Sequence, residues 1–391
     1  MDSRHKHFLH IATICMMMIP AEFNGQVITL AANGRTFSLN QDEISLGKYA
    51  APDLPSADTS MFRVPFCEVK VTEDIIYGNA MGYWTSISGV EAEVGKAFTQ
   101  GYVKSFRQQD LDLKLDLYQP EGLEGPRPLI LFMHGGAFYF GDKQEPAYID
   151  FCRHFAAMGY VTASINYRMG FHLGKAEIER AEYVALQDAH AAMRFLVSHA
   201  DEYGIDTGEL FLAGSSAGSI TALNLAFMTE DDRLESSYGG KGPFNGSDLG
   251  AIDGSGNDIK ASFHIKAIAN MWGAVRNTAI ISNGKTDIVS FHGDADGMVP
   301  YAAGHLVANS PERISRLFSD KVYGSFCIDS TARACGLRSR LYTFEGEGHA
   351  LNTTGKEKTP NDNQSFIKSR MAEFFFEELM PDQAESASSR R

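Results

Sequence analysis

Short apolar and alternating segments recur along the chain and predict a series of β-strands. Residues 111–118 (LDLKLDLY) alternate apolar and polar positions, which is typical of a strand with one buried face. More continuous apolar runs, of the kind that buried strands carry, occupy residues 128–133, 160–167, 209–213, 267–272, 287–292 and 340–344. The pattern therefore predicts several strands, most of them buried on both faces.

Helical periodicity fills several of the intervals between these strands. Residues 146–158, 177–203 and 217–228 are predicted helices. In the second helix, apolar residues recur every three or four positions and form one stripe: Ala181, Val184, Ala185, Ala189, Ala192, Phe195 and Leu196. Because strands alternate with helices, the sequence predicts an α/β fold with a mainly parallel sheet covered by helices on both faces.

Two segments lack sustained periodicity. Residues 26–64 are rich in polar and turn-forming residues, so we expect an irregular N-terminal extension there. Residues 230–262 are rich in glycine and carry little apolar periodicity, which favours a long insertion after the third helix. Residues 381–391 are expected to be a polar tail.

The first residues resemble a targeting sequence. Arg4 and Lys6 precede residues 8–20, which are mostly apolar and carry no formal charge. A basic region followed by an apolar stretch of this length is typical of a secretory signal peptide, expected over residues 1–25, and predicts a secreted or periplasmic protein. The position of cleavage stays open. The alternative is an amphipathic tail without a targeting role.

Composition and charge narrow the possible classes of partner. The chain has 391 residues, of which 44% are hydrophobic and 21% charged, so it is expected to fold as a packed globule. Its 35 Lys and Arg against 49 Asp and Glu give a net charge of −14, which repels nucleic acid and anionic lipid. No uncharged apolar run reaches the roughly 18 residues of a membrane span.

The cysteines do not form a ligand pattern. Five are present, without a CxxC pair: Cys15, Cys67, Cys152, Cys327 and Cys335. We therefore expect no metal site and no cofactor. If the segment between Cys327 and Cys335 is helical, their Cα atoms are about 12 Å apart, too far for a bridge. A disulfide and two free thiols both remain possible for this pair.

The strand at residues 209–213 leads into the motif Gly214-Ser215-Ser216-Ala217-Gly218, which is followed by a predicted helix. In a G-x-S-x-G turn between a strand and a helix, the central serine adopts a strained backbone and presents its hydroxyl above the sheet. Ser216 is therefore a candidate nucleophile. The alternative is an ordinary glycine-rich turn.

A serine hydroxyl needs a base, and the base needs an orienting carboxylate. The strand at 287–292 is followed by Asp294 and Asp296, and the strand at 340–344 is followed by His349. The carboxyl ends of strands are where open α/β sheets build their sites. His349 is the candidate base, while Asp294 and Asp296 compete for the role of the acid.

Backbone N–H groups that could stabilise an oxyanion follow the strand at 128–133, in the motif His134-Gly135-Gly136-Ala137-Phe138. The N–H of Gly135, Gly136 or Ala137 could act together with the N–H of Ala217. We assign His134 a structural role, in which its side chain bonds the loop.

The motifs HGGAF, GSSAG, HGDADGMVP and GEGH, in this order, resemble the α/β-hydrolase fold and its carboxylesterase/lipase group with an HGGG-type oxyanion loop. The resemblance covers residues 65–380 and implies a mainly parallel eight-stranded sheet. The family pattern H-G-x-x-D-x-x-V-P falls on His292, Gly293, Asp296, Val299 and Pro300, which implies that Asp296 is the acid. The chain departs from the family at Ala137 and Ser219, where many members have glycine.

The resemblance implies a serine hydrolase that cleaves carboxylic esters through an acyl-enzyme on Ser216, with Asp296 and His349 completing the triad. Gly135, Gly136 and Ala217 are the expected oxyanion donors. The expected substrate is a short-chain small-molecule or glycan-linked acyl ester, and the 230–262 insertion is expected to be a mobile cover at its entrance. The alternatives are a serine peptidase of the same fold and a catalytically inert binding module.

Overall fold

The computed structural model describes residues 29–32, 35–38, 61–87, 104, 107–172, 174–239, 246–355 and 358–380. The chain divides into two compact units, residues 1–59 and 60–391. In the first unit, Thr29–Ala32 and Arg35–Ser38 pair as an antiparallel two-stranded sheet. The predicted signal peptide at 1–25 and the polar tail at 381–391 lie outside the described residues, and the predicted boundary between residues 64 and 65 stays a prediction.

The second unit is built on one eight-stranded sheet. Its strands are β1 Val69–Gly82, β2 Gln109–Pro120, β3 Arg127–Met133, β4 Val161–Ile165, β5 Ile205–Ser215, β6 Ala267–Met271, β7 Asp287–Gly293 and β8 Ser339–Phe344. They lie in the order β8-β7-β6-β5-β3-β4-β2-β1. Strands β3 to β8 are mutually parallel, whereas β2 is antiparallel to both of its neighbours. The predicted mainly parallel eight-stranded sheet is confirmed.

Helices cover both faces of this sheet. The longer ones are α1 Pro146–Ala156, α2 Lys175–Ser198, α3 Ala217–Phe227, α4 Ser325–Ala334 and α5 Asp362–Leu379, with short helices at Ala200–Tyr203 and Glu312–Ser315. Short 3₁₀ helices lie at Glu230–Asp232, Glu235–Tyr238 and Thr278–Asn283. Two minor sheets complete the described elements, one from Ala274–Val275, Ala303–Gly304 and Val322–Gly324, the other from Thr353–Thr354 and Thr359–Pro360.

Successive side chains of a strand point to opposite faces of the sheet. Since helices cover both faces, both sets of side chains of the central strands are buried. In β3, Leu129 and Leu131 belong to one hydrophobic cluster together with residues of α2 and α3. Ile130 and Phe132 belong to another cluster, with residues of α1 and α5. This packing explains why the sequence of β3 is a continuous apolar run.

Some elements differ from the sequence-based prediction. The helix predicted over 177–203 is interrupted at His199 and continues only as the short helix Ala200–Tyr203. Strand β1 was not predicted, because it is an edge strand with two register shifts that break its alternation. Helix α5 was also missed, although Ile367, Met371 and Phe374 form a helical stripe and are fully buried.

The insertion at 230–262 was expected to be a mobile cover at the substrate entrance, and its mobility and its place at the entrance stay predictions. Its described residues, 230–239 and 246–262, are hydrogen-bonded along α2 and β1. The buried Gln187 side chain donates to the carbonyl oxygens of Leu249 and Ala251, and Gly256 accepts from the Asn79 N–H. Composition suggested too little apolar burial for order, but polar side chains of α2 satisfy the backbone of this segment instead.

The thiols of Cys327 and Cys335 are free, as are those of Cys67 and Cys152. Cys327 lies in α4 and Cys335 caps its C-terminus. The segment between these two cysteines is therefore helical, which keeps their Cα atoms too far apart for a disulfide. Of the helices in the described part of the chain, none combines the length and hydropathy needed to cross a bilayer.

Candidate active site

Ser216 lies between the end of β5 and the start of α3. Its φ of 52° and ψ of −121° fall in a region that residues with a side chain seldom adopt, so the turn is strained. Two hydrogen bonds of its own peptide groups hold it there. Its N–H donates to the Met271 carbonyl at 2.9 Å, and its carbonyl accepts from the Ile220 N–H at 2.9 Å. The surrounding backbone therefore determines where the hydroxyl lies.

Two glycines permit this turn because neither has space for a side chain. A Cβ atom on Gly214 would lie 2.4 Å from the Gly218 carbonyl oxygen. One on Gly218 would lie 2.1 Å from the Met133 carbonyl oxygen, at the end of the neighbouring strand β3. The glycines of the G-x-S-x-G motif thus allow α3 to begin in contact with the sheet.

His349 joins Ser216 to Asp296 by hydrogen bonds. Along the chain it lies 133 residues after Ser216 and 53 residues after Asp296. Its Nε2 atom lies 2.9 Å from Ser216 Oγ, and its Nδ1 atom lies 2.7 Å from Asp296 Oδ2. A neutral imidazole that donates Nδ1–H to the carboxylate leaves Nε2 free to accept the serine proton. The structure thus brings together the three residues that the sequence predicted as a triad.

Asp296 is held by several donors. Its Oδ1 atom accepts from the N–H groups of Met298 at 2.8 Å and Val299 at 3.0 Å, and its Oδ2 atom lies 3.2 Å from His292 Nε2. Burial raises the pKa of Asp296, but the charges and hydrogen bonds of His349 and His292 outweigh it, so the pKa lies below its ordinary value. The buried carboxyl is therefore ionised at neutral pH.

Asp294 occupies a different position. It is exposed, and its Oδ1 atom accepts from the Gly346 N–H at 2.7 Å. This bond joins the loop after β7 to the loop that carries His349. Asp294 therefore links the two loops, while Asp296 contacts the imidazole.

A buried polar network behind Asp296 was not predicted. His292 Nε2 faces the acceptors Asp296 Oδ2 and the Val299 carbonyl, so this nitrogen carries the hydrogen and Nδ1 accepts from Ser325 Oγ at 2.8 Å. Asn270 Nδ2 donates to Ser325 Oγ at 3.0 Å. These contacts fix His292 in the orientation that serves Asp296.

The departure from glycine at Ser219 is explained by the same network. Ser219 Oγ donates to Asn270 Oδ1 at 2.5 Å, and this oxygen also accepts from the Gly273 N–H at 3.0 Å. Asn270 Nδ2 donates further to Ser290 Oγ at 2.9 Å. The amide of Asn270 is therefore fully hydrogen-bonded inside the sheet, which removes the cost of burying it.

Trp272 is a second neighbour of the site that sequence patterns did not indicate. It follows β6 with a φ of 43° and is buried. Its backbone N–H donates to the Phe291 carbonyl oxygen at 2.7 Å. Its ring meets that of His349 edge to face, with the centroids 6.4 Å apart. The indole therefore lies beside the imidazole of the candidate base.

The loop after β3 carries three successive left-handed residues, Gly136 at φ 109°, Ala137 at 54° and Phe138 at 58°. A Cβ on Gly136 would lie 1.8 Å from the Phe140 carbonyl oxygen, so only glycine fits there. Ala137 adopts this strained conformation at the position where the HGGG-type loop that the sequence resembles has its third glycine.

The Gly135 N–H was predicted to be an oxyanion donor, but it has another partner in the structure. It donates to the Tyr148 hydroxyl at 2.8 Å and is therefore already engaged. The N–H groups of Gly136 and Ala217 have no hydrogen-bond partner among the described residues. Gly136, in the loop after β3, and Ala217, at the start of α3, remain the predicted donors.

The side chain of His134 determines the direction of one of these donors. Its Nδ1 atom bonds the Gly135 carbonyl oxygen at 2.7 Å, and burial lowers the pKa of the imidazole. The ring is stacked on Tyr167 with 4.4 Å between centroids. Because the peptide unit is planar and trans, holding the Gly135 carbonyl turns the Gly136 N–H to the opposite side.

Two further features of the described residues concern other kinds of site. No group of three or more His, Cys, Asp and Glu side chains within them is placed to hold a metal ion. A cavity of about 420 Å³ lies near the amino ends of the parallel strands, lined by Arg127, Val161 and Ile205 among others. It is at the opposite end of the sheet from Ser216.

The chain is similar to several proteins that are named as esterases. A probable isoprenylcysteine alpha-carbonyl methylesterase of Arabidopsis thaliana is 29% identical over 246 residues, covering 60% of this chain and 48% of the plant protein. The para-nitrobenzyl esterase of Bacillus subtilis is 25% identical over 163 residues, covering 41% of this chain and 32% of that one. Gut esterase 1 of Caenorhabditis briggsae is 27% identical over 123 residues, or 30% and 22% of the two chains.

The chain thus spans about a fifth to a half of the length of these relatives. Among solved structures, Thermogutta terrifontis esterase 2 phosphorylated by paraoxon aligns with a TM-score of 0.48 and 20% identity, covering 69% of this chain and 90% of that one. The family model BD-FAE matches residues 115–310, a span that includes the oxyanion loop, Ser216 and Asp296. Since this match covers half of the 391 residues, the chain belongs to the BD-FAE family, and its mainly parallel eight-stranded sheet is that of an α/β-hydrolase.

Proposed function

We propose that this protein hydrolyses carboxylic esters through an acyl-enzyme on Ser216. The observation that carries the proposal is the continuous hydrogen-bonded line from Ser216 Oγ through His349 to the ionised Asp296, with distances of 2.9 Å and 2.7 Å. This arrangement supplies a nucleophile, a base and an orienting carboxylate. The names of the relatives, each called an esterase or a methylesterase, support the same class of substrate.

In the first half of the reaction, Ser216 Oγ attacks the ester carbonyl carbon while His349 Nε2 takes the hydroxyl proton. Asp296 stabilises the imidazolium that forms. The carbonyl oxygen becomes an oxyanion, which accepts hydrogen bonds from the Gly136 and Ala217 N–H groups. His349 then returns the proton to the leaving alkoxide, the C–O bond breaks, and the acyl group stays on Ser216.

In the second half, a water molecule attacks the acyl carbon and loses its proton to His349. The same two N–H groups hold the second oxyanion. When this intermediate collapses, His349 protonates Ser216 Oγ and the carboxylic acid leaves. No atom from outside the ester, water and these side chains is needed to balance the reaction.

The substrates proposed are short-chain or carbohydrate-linked acyl esters that the protein meets outside the cytoplasm. The export proposal rests on the basic and apolar pattern of residues 1–25. Fractionation of a bacterial host that expresses the full chain tests it, with the N-terminus of the recovered protein sequenced. Replacing Ile14 and Met17 by arginine interrupts the apolar stretch and is expected to retain the protein in the cytoplasm; equal export of both forms contradicts the proposal.

The activity is tested with a fluorophosphonate probe and a series of p-nitrophenyl esters of increasing acyl length, together with an acetylated glycan. We expect stoichiometric labelling, turnover of short acyl esters, and loss of both in Ser216→Ala. Removal of a triad residue costs on the order of 10⁴-fold or more in turnover. Labelling with turnover of peptide anilides but not of esters would indicate a peptidase, and a folded protein that is not labelled would indicate an inert binding module.

A further inference from the structure

Tyr148, in the first turns of α1, connects the two loops that carry the predicted oxyanion donors. Its hydroxyl oxygen lies 2.8 Å from the Gly135 N atom in the loop after β3. The same oxygen lies 2.7 Å from Ser215 Oγ, in the residue that precedes the nucleophile. Tyr148 and Ser215 are buried, only 5% and 7% exposed, and Gly135 is partly buried.

The chemistry of these groups assigns the direction of the bonds. A backbone N–H can only donate, so the Tyr148 oxygen accepts from Gly135. The single hydrogen of the tyrosine hydroxyl is then free to be donated to Ser215 Oγ. Burial raises the pKa of Tyr148 and keeps this hydroxyl protonated, as donation requires.

We propose that Tyr148 is a positioning residue that holds the oxyanion loop at a fixed separation from the nucleophile turn. This inference rests on the proposed ester hydrolysis at Ser216. The two donors, Gly136 N–H and Ala217 N–H, belong to different elements, and both must reach one oxygen atom. Their separation therefore decides how well an oxyanion is bound.

Two observations show why such a link is needed. The loop is strained at Ala137 and Phe138, and a strained segment persists only when its surroundings hold it. The two loops are also in direct contact, since a Cβ on Gly135 would lie 3.1 Å from both Ser215 O and Ser215 Oγ. The Tyr148 hydroxyl is the polar link across this contact.

The anchoring of Tyr148 suits this role. It belongs to a helix that begins with a proline at its first turn and packs Phe151 and Phe155, both fully buried, into the core on one face of the sheet. A hydroxyl on a packed helix varies little in position, whereas one on a loop would not fix the distance between two other loops. The role of Tyr148 is to act through Gly135 and Ser215, without contact with substrate.

The test compares Tyr148→Phe and Ser215→Ala, which break the same bond from opposite ends. The control is Tyr77→Phe, which removes a different buried tyrosine hydroxyl. The Tyr77 hydroxyl donates to the Asn166 carbonyl oxygen at 2.9 Å. Three quantities are measured for each: the rate constant for fluorophosphonate labelling, the inhibition constant of a trifluoromethyl ketone, and kcat and KM for p-nitrophenyl acetate. The value of kcat is calculated per active site, with the sites counted by complete fluorophosphonate labelling.

We expect Tyr148→Phe and Ser215→Ala each to lose about 10-fold in labelling rate and kcat and to bind the ketone about 10-fold more weakly, because misplacement within a site costs up to about 100-fold. KM should change little. The double variant should lose no more than either single variant, since one link is broken. The Tyr77→Phe control should lose stability only.

Unchanged rates and ketone affinity per titrated site in both variants overturn the inference, because Tyr148 is then structural only. Losses that multiply in the double variant also overturn it. If Tyr148→Phe does not fold, Ser215→Ala carries the same test. Failure of the proposed function looks different: the wild-type protein itself would then not react with the fluorophosphonate, or would be labelled without hydrolysing esters, in which case the labelling rates still test the link.

Discussion

His292 Nε2 lies 3.2 Å from Asp296 Oδ2, so the catalytic carboxylate of the proposed triad is bonded by two imidazoles, of which only His349 reaches Ser216. His292 is buried and its other nitrogen bonds Ser325. It therefore orients the acid without contacting the substrate.

Replacement of His292 by Phe should lower kcat about 10-fold with little change in KM, because a hydrogen bond to a charged group contributes about 1.5 to 3 kcal/mol and only part of this acts on the transition state. Steady-state kinetics on p-nitrophenyl acetate measure the effect. Ser325→Ala, which removes only the partner of His292 Nδ1, should be milder. An equal fall in both variants contradicts a direct role of His292.

Asp296→Asn should lose on the order of 10⁴-fold in kcat, because an amide stabilises the wrong imidazole tautomer and cannot balance the imidazolium. The matched variant Asp294→Asn should retain most activity, since Asp294 bonds the Gly346 N–H and not His349. The two are compared by kcat at neutral pH. The reverse ranking would mean that Asp294 is the acid.

The depressed pKa of Asp296 also links stability to pH. A carboxyl whose folded pKa lies below its unfolded value contributes stability above the unfolded pKa, about 3.9, and this contribution is lost as the pH falls towards the folded value. The free energy of unfolding of wild type should therefore exceed that of Asp296→Asn at pH 7, with the gap narrowing below pH 4. Urea unfolding between pH 7 and pH 3 measures this difference in the free energy of unfolding. A difference that does not change with pH would contradict a lowered pKa of Asp296 in the folded protein.

Gly218→Ala should destabilise the fold strongly, because the new Cβ would lie 2.1 Å from the Met133 carbonyl and the backbone of β3 cannot yield cheaply. The matched control is Gly208→Ala, whose Cβ meets only the Asp206 side-chain oxygen at 3.3 Å. Thermal unfolding should show a much larger fall in Tm for Gly218→Ala. Similar Tm values would mean that α3 can move away from the sheet.

Replacement of residues 230–262 by a short linker should destabilise the protein, because the buried side chains of Gln187 and Arg194 lose their partners in that segment. Adding Gln187→Met to the shortened protein should restore part of the loss by removing one unsatisfied amide. Urea unfolding compares the two. Full stability of the shortened protein would restore the original expectation of a loosely attached loop.

The sequence alone was sufficient for the fold class and for most of the parallel strands, because both depend on local patterns. Continuous apolar runs mark strands buried on both faces, and a glycine-flanked serine between a strand and a helix marks a strained turn. These signals lie within a few residues of each other, so they can be read without any partner. The candidates Ser216 and His349 likewise followed from motifs at the ends of predicted strands, whereas the choice of Asp296 over Asp294 came from the resemblance to a family pattern.

Tertiary structure decided which polar groups pair. Gly135 was predicted as a donor because its motif is local, but a hydroxyl from α1 takes its N–H. Side chains of α2 bond the described residues of the 230–262 segment, and Ser219 is explained by Asn270, 51 residues away. A buried hydrogen bond depends on two atoms meeting across the fold. Their distance is set by how the sheet and helices pack, and neither partner's own sequence encodes it.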